Sequence, residues 1–118
     1  VMLRKGYGLG AMGMTAGGFH APVFTVAWPT GEFGAMGLEG AVRLGFRKEL
    51  EALPEGSERD ALFAKLLAKS YANGEAMHMA ATLEIDAVID PADTRAWLAR
   101  GLASAQVAPV GHRFVDTW

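Results

Sequence analysis

The sequence predicts an α/β fold in which short strands pack against α-helices. Apolar residues recur at helical intervals in two long stretches, 37–53 and 62–71, and that spacing places them on one face of a helix. Two segments, "PVFTVAW" at 22–28 before Pro29 and "IDAVI" at 85–89, have the composition of strands. With 118 residues, of which 51% are hydrophobic, the chain is long enough for one domain with a buried core.

Glycine is concentrated in the first part of the chain, where eleven of the fifteen glycines lie at or before Gly45. Residues 1–3 are expected to end an apolar strand. The stretch 10–16 predicts a short helix that Gly17 and Gly18 terminate. The backbone of this region is therefore expected to turn sharply or to lie in close contact with another group.

Two long helices are predicted in the middle of the chain. The first ends at Pro54 and Gly56, and its apolar residues recur every four positions: Leu38, Val42, Phe46 and Leu50. Ser57 precedes Asp60 by three residues, the spacing of a capping box, so the second helix is expected to begin there and to end before Gly74. Its apolar residues at helical spacing are Leu62, Phe63, Leu66, Leu67 and Tyr71.

The last third of the sequence predicts two further helices, one on each side of the strand at 85–89. The first is expected over 75–83. The second is expected to begin at Asp90 and Pro91, because the aspartate can cap a helix and proline has the φ of a first helical position. Three residues of this helix are expected to face inward: Trp97, Leu98 and Leu102. Residues 109–118 predict no element.

The charge balance and the absence of cysteine exclude several classes of protein. The net charge is −2, from 11 basic and 13 acidic residues, so neither nucleic acid nor an anionic membrane is an expected partner. Without cysteine there is no disulfide, thiolate zinc site or cysteine nucleophile. No signal peptide is expected, and no run approaches the ~18 apolar residues of a membrane span. The cytoplasm is the predicted location.

The pattern GxGxxG, which is typical of dinucleotide-binding turns, occurs at Gly8, Gly10 and Gly13. In that interpretation, Glu32 is the candidate ligand of the ribose. The match is superficial. The predicted helix at 10–16 has room for only about two turns, which is too short for the helix that connects two parallel strands. Glu32 also lies past the end of the strand at 22–28. A P-loop is excluded, because neither Gly-Lys-Ser nor Gly-Lys-Thr occurs.

The histidines do not predict a metal site. His20, His78 and His112 are far apart, and none belongs to an HExxH pair, whereas a metal ion needs three or four converging ligands. The serines lie in predicted helices without a nearby base. We therefore predict neither a bound metal nor a nucleophilic triad.

The glycines at the start of the chain are open to two interpretations. Gly8 and Gly10 can let a strand turn into a helix so that bare amide N–H groups meet at the helix N-terminus. Such a place can stabilise an oxygen that gains negative charge during a reaction. Alternatively, the glycines only permit a helix to pack tightly on a strand.

Three motifs, in this order, resemble the carboxyltransferase subunit of biotin-dependent acyl-CoA carboxylases. They are "RKGYGLGA" at 4–11, "FTVAWPTGEFGAMGLEGAV" at 24–42 and "IDAVIDPADTR" at 85–95. The nearest members by this resemblance are the β-type chains of propionyl-CoA and acetyl-CoA carboxylases. The resemblance covers nearly all of the chain.

The resemblance implies that residues 1–118 are the C-terminal part of a carboxyltransferase domain, within the second of two crotonase-like (ClpP/crotonase) domains. The implied reaction transfers a carboxyl group from carboxybiotin to the α-carbon of a short-chain acyl-CoA. By position in the motif, the amides of Leu9 and Gly10 stabilise the biotin ureido oxyanion. Gly8, Leu9, Gly10 and Ala11 are the implied biotin-binding residues.

The implied partners are acyl-CoA, a separate biotin carboxyl carrier domain, a biotin carboxylase component and further copies in a homo-oligomer. The chain alone would hold at most half of a catalytic site, so it is expected to be inactive by itself. It departs from the family pattern at Leu9 and Gly10, since many relatives have Gly-Gly-Ala where this chain has Gly8-Leu9-Gly10, and at Met12, where a polar residue is common.

A second hypothesis belongs to another class of protein. The chain could be a non-catalytic fragment or truncated relative whose apolar helices associate subunits. The residues proposed for that contact are Leu62, Leu66, Trp97 and Leu102.

Overall fold

The computed structural model describes residues 1–105, which form four short strands, six α-helices and one 3₁₀ turn. The strands are β1 (Lys5–Tyr7), β2 (Val26–Ala27), β3 (Glu32–Gly34) and β4 (Ala87–Val88). The helices are α1 (Gly8–Met14), α2 (Leu38–Gly45), α3 (Arg47–Glu51), α4 (Ser57–Asn73), α5 (Ala76–Ala81) and α6 (Thr94–Ser104), with the 3₁₀ turn at Pro91–Asp93. The predicted α/β class is confirmed.

The strands form two parallel pairs. In the first pair β1 lies beside β3 with Lys5 opposite Glu32, and in the second β2 lies beside β4. Met2 connects the segment before β1 to the second pair, because its N–H donates to Val26 O at 2.8 Å. The two pairs are thus held together by the backbone that leads into β1.

The core lies where these strands meet the junction of α4 and α5. Its buried members are Ala27, Phe33, Ala76 and Ile85. The rings of Phe19 and Phe33 meet edge to face, with centroids 5.6 Å apart. Gly74 O accepts the N–H of Phe33 at 2.8 Å, so the end of α4 is fixed directly to β3.

Two of the three strand predictions, at 22–28 and 85–89, were correct in place but wrong in extent. The predicted strand at 1–3 is wrong, because Met2 makes only an isolated bridge to Ala27 and the first strand is β1. The segments 22–28 and 85–89 contain only the two-residue strands β2 and β4. The second pair cannot lengthen past Thr25, since its N–H donates to the Asp86 carboxylate at 2.6 Å.

The single helix predicted over 37–53 is broken at Phe46, which ends α2 and precedes α3. The side chain of Phe46 is 37% exposed, whereas the other three residues of the predicted stripe are buried: Leu38, Val42 and Leu50. Ser57 as the N-cap of α4 is also wrong, because Ser57 is the first helical residue and Gly56 precedes it with a φ of 146°. The predicted end of α4 at Asn73 is confirmed.

Of the predictions for the last two helices, the cap at Asp90 is confirmed and the inward face of α6 is partly wrong. Asp90 accepts the N–H of Ala92 at 2.8 Å, as predicted, and α5 is shorter than the predicted 75–83. Trp97 packs against Phe24, but Leu98 and Leu102 are 46% and 79% exposed. The predicted inward face is therefore wrong for both leucines, and residues 109–118 lie outside the described part of the chain.

Gly74→Ala is expected to destabilise the fold, because the added Cβ would lie 2.3 Å from Phe33 O. Overpacking against backbone costs about 1–3 kcal/mol or more. The matched control is Gly40→Ala in α2. Outside the helix backbone, the only atom of the described residues within 4 Å of its Cβ would be the Met36 sulfur, at 3.9 Å, and the variant should gain about 0.5–1 kcal/mol of helix stability. Denaturant unfolding measures both, and equal midpoints for the two variants would contradict the packing assignment.

Candidate functional site

The strand β1 passes directly into α1 without an intervening loop. Tyr7 is extended, with φ −111° and ψ 133°, and Gly8 follows with a φ of +55°. That left-handed conformation is costly for residues with a side chain. A Cβ at Gly8 would also lie 2.6 Å from Ala35 O. Both conformation and space therefore require glycine at this position.

The amides of Leu9 and Gly10 lie in the first turn of α1. First-turn N–H groups have no partner inside their own helix, and no side chain caps this end of α1. Leu9 is 84% exposed. Apart from the chain neighbours of Gly10 and the backbone of its own helix, no atom of the described residues lies within 4 Å of a Cβ built on Gly10. Ala11, by contrast, is buried. The helix thus presents its first turn to open space and packs Ala11 inward.

The far end of α1 is held by Thr15. Its buried hydroxyl donates to Ala11 O at 2.8 Å and to Met12 O at 3.1 Å, and Gly17 N–H also donates to Met12 O. The predicted helix over 10–16 is therefore observed two residues earlier, over 8–14.

A polar cluster lies beside the start of α1. The Tyr7 hydroxyl donates to the Glu32 carboxylate, and the Lys5 ammonium is 3.8 Å from the same oxygen. Burial, followed by the hydrogen bond and the negative charge of Glu32, raises the pKa of the Tyr7 phenol well above its usual range. Glu32 lies past the end of β2, as predicted, and begins a strand of its own, β3, where it accepts from the last residue of β1.

A second tyrosine–glutamate pair joins α4 to α2. The Tyr71 hydroxyl donates to Glu39 Oε1 at 2.9 Å. The backbone N–H of Glu39 in the first turn of α2, and then Tyr71, lower the pKa of the Glu39 carboxyl. The same hydrogen bond raises the pKa of Tyr71.

A cavity of about 470 Å³ adjoins the turn between β1 and α1. Its lining is mainly apolar and comes from α1, from β3 and the residues after it, from the start of α2 and from the end of α4, including Gly8, Met12, Phe33, Ala35, Leu38 and Gly74. Sequence reasoning missed the contribution of β3, although "GEFG" lies inside the motif at 24–42. The cavity therefore brings together residues far apart in the sequence.

The described residues hold no group of three histidine, aspartate or glutamate side chains placed to bind a metal ion. His20 and His78 are exposed and lie on different elements, and His112 is outside the described range. No helix over residues 1–105 is both long and apolar enough to cross a bilayer.

The site is a strand-to-helix turn with a left-handed glycine, in a fold of short parallel strands and packed helices. Comparison with known proteins identifies the family. Residues 1–115 match the model of the carboxyl transferase domain. The chain belongs to this family, and its fold is part of a crotonase-like carboxyltransferase domain.

Three relatives indicate the range of the family. The methylmalonyl-CoA carboxyltransferase 12S subunit of Propionibacterium freudenreichii subsp. shermanii is 38% identical over 104 residues, covering 86% of this chain and 19% of that protein. The solved single-chain, multi-domain long-chain acyl-CoA carboxylase is 57% identical with a TM-score of 0.66, covering 83% of this chain and 10% of that one. The solved transcarboxylase 12S hexamer with methylmalonyl-CoA and methylmalonic acid bound is 31% identical with a TM-score of 0.75, covering 98% of this chain and 22% of that one.

The chain spans about a fifth of the length of the curated relatives it matches. The comparisons identify the family, but they do not test the roles of individual residues. The roles of Gly8, Leu9, Gly10 and Ala11 stay predictions.

The two tyrosines predict an unusual alkaline titration. Because both pKa values are raised in the folded state, tyrosinate absorbance of the native protein should rise at higher pH than in denaturant, where tyrosine titrates near pH 10. A raised folded pKa stabilises the protonated form, so this contribution to stability is complete below about pH 10 and is lost as the pH rises further.

The Tyr71→Phe variant isolates Tyr7, because the chain has only two tyrosines. Ultraviolet titration of this variant, native and denatured, gives the shift for Tyr7 alone. Coincident native and denatured curves would contradict the bond between Tyr7 and Glu32.

Proposed function

We propose that this chain is part of the carboxyltransferase component of a biotin-dependent acyl-CoA carboxylase, and that the turn from β1 to α1 is its biotin-facing site. The observation that supports the proposal most is the left-handed Gly8, which starts α1 beside β1. It leaves the N–H groups of Leu9 and Gly10 in an uncapped first turn. The family match over residues 1–115 supports the same assignment.

The residues present fit a biotin ureido group in two respects. First-turn N–H groups are hydrogen-bond donors near the positive end of a helix, and the space before Gly10 is open. When bound, biotin supplies the transferable carboxyl group and an oxygen that becomes negative as that group leaves. The amides of Leu9 and Gly10 would donate to this oxygen, and fixed donors of this kind contribute about 3–4 kcal/mol each.

The proposed acceptor is an acyl-CoA, and the relatives differ in the acyl group that their names give. The 12S subunit is named for methylmalonyl-CoA, whereas the solved carboxylase with 57% identity is named for long-chain acyl-CoA. The proposal therefore covers both short and long acyl groups. The other proposed partners are a biotin carboxyl carrier, a biotin carboxylase component and further carboxyltransferase copies, as in the 12S hexamer.

A second candidate function is subunit association without catalysis. It is favoured by the exposed Leu98 and Leu102 on α6, which lie on a different element from the proposed biotin-facing turn.

An assay of acyl-CoA-dependent carbon dioxide release from carboxybiotin separates the two functions. The chain is assayed alone and with a full-length carboxyltransferase whose own second-domain turn has been inactivated. We expect no turnover by the chain alone and turnover in the mixture, measured with short-chain and long-chain acyl-CoA. Association without turnover in the mixture would instead support the second candidate.

The variant Gly10→Val is expected to lower turnover of the complemented enzyme by roughly 100-fold or more, because its side chain would enter the space in front of the donors. Gly13→Val is the matched control, since Gly13 lies on the same helix and, across residues 1–105, no atom other than its chain neighbours and the helix backbone lies within 4 Å of an added Cβ. Full activity of the Gly10→Val enzyme would contradict the oxyanion assignment.

A further inference from the structure

We propose that Tyr7 is a positioning residue for the amides of Leu9 and Gly10, acting through its hydrogen bond to Glu32; this inference rests on the proposed function. Tyr7 is both the last residue of β1 and the residue that precedes α1. A rotation of its backbone would therefore redirect the first turn of the helix. Its hydroxyl bond to Glu32 resists that rotation.

Helix α1 depends on contacts outside itself for its position. It has only seven residues, and three of them are glycine. Each glycine costs about 0.8–1.0 kcal/mol relative to alanine in a helix interior, and isolated helices of this length are unstable in water. The Thr15 hydroxyl holds the far end of α1, whereas no side chain caps the near end.

The acceptor of the Tyr7 hydroxyl is itself fixed in place. Glu32 begins β3 opposite Lys5, and its N–H donates to Arg4 O at 2.6 Å. The Lys5 ammonium is 3.8 Å from the carboxylate and 5.8 Å from the centroid of the Tyr7 ring. A hydrogen bond to a charged carboxylate is also stronger than one between neutral groups. The tyrosine is thus tied to the neighbouring strand.

The pair formed by Tyr71 and Glu39 provides a matched control. It has the same chemistry, a phenol donating to a glutamate, but it joins α4 to α2 and is exposed, whereas the bond of Tyr7 is partly buried. Tyr71 also lines the same pocket as Glu32. Removal of either hydroxyl deletes one oxygen and one hydrogen bond. Only removal of the Tyr7 hydroxyl releases the residue that leads into α1.

The test compares Tyr7→Phe and Tyr71→Phe in the active carboxyltransferase that contains this chain. Tyr7→Phe is expected to lower kcat about 10-fold or more, since small misplacement of catalytic groups is costly, and to leave the KM for acyl-CoA unchanged. Tyr71→Phe should keep the wild-type kcat. Denaturant unfolding of both variants checks that their losses of stability are similar.

Variants of the acceptor test the same bond from the other side. Glu32→Gln keeps an oxygen acceptor and should retain most of kcat, whereas Glu32→Ala should lose as much as Tyr7→Phe. These two variants decide the question if Tyr7→Phe does not fold. Equal kcat in Tyr7→Phe and Tyr71→Phe, or wild-type kcat in Glu32→Ala, would overturn the positioning role.

The outcome for Gly10→Val separates this inference from the proposed function. An inactive Gly10→Val enzyme together with a fully active Tyr7→Phe enzyme overturns the role of Tyr7 alone. A fully active Gly10→Val enzyme overturns the oxyanion site itself, whatever the tyrosine variants do.

Discussion

The left-handed backbone of Gly8 is the constraint on which the rest of the site depends. It lets β1 become α1 within one residue and brings the backbone so close to Ala35 O that a Cβ would lie 2.6 Å away. Ala35 directly follows β3, the parallel partner of β1. One residue therefore fixes the strand pair, the segment after β3 and the direction of the helix. Gly8 and Ala35 both line the apolar cavity beside this turn.

Several features could be predicted from the sequence because they depend on local chemistry. Gly8 and Gly10 predicted a strand-to-helix turn, and Asp90 before Pro91 predicted a cap. Strand β3 could not be predicted in the same way, because "EFG" has no β-branched residue and pairs only with segments distant in the sequence, β1 and residues 74–75. The Tyr7 hydroxyl likewise acquires its role from Glu32, 25 residues away.

The errors in the helices have a geometric cause. Residues four apart on an α-helix are rotated by about 40° beyond a full turn, so a stripe of four such residues drifts by about 120°. One straight helix could not keep Leu38 and Leu50 on the same buried side, and the break at Phe46 lets both be buried. On α6 the error is different. Gly101 is the buried residue, with a hypothetical Cβ only 2.2 Å from the Phe24 ring, and this close contact leaves Leu98 and Leu102 outside.

The departure from the family pattern at Leu9 is compatible with a donor role for its amide. Across residues 7–14 only Gly8 has a positive φ, so the left-handed conformation falls on a glycine, which adopts it without a steric penalty. Leu9 has an ordinary backbone conformation, and its side chain points into open space. Gly10 also has no conformational need for glycine, because neither its φ nor the surrounding atoms exclude a side chain. Within the described residues, neither the backbone conformation nor the contacts require glycine at residue 10, so turnover of the Gly10 variant tests the proposed function separately from the folding of these residues.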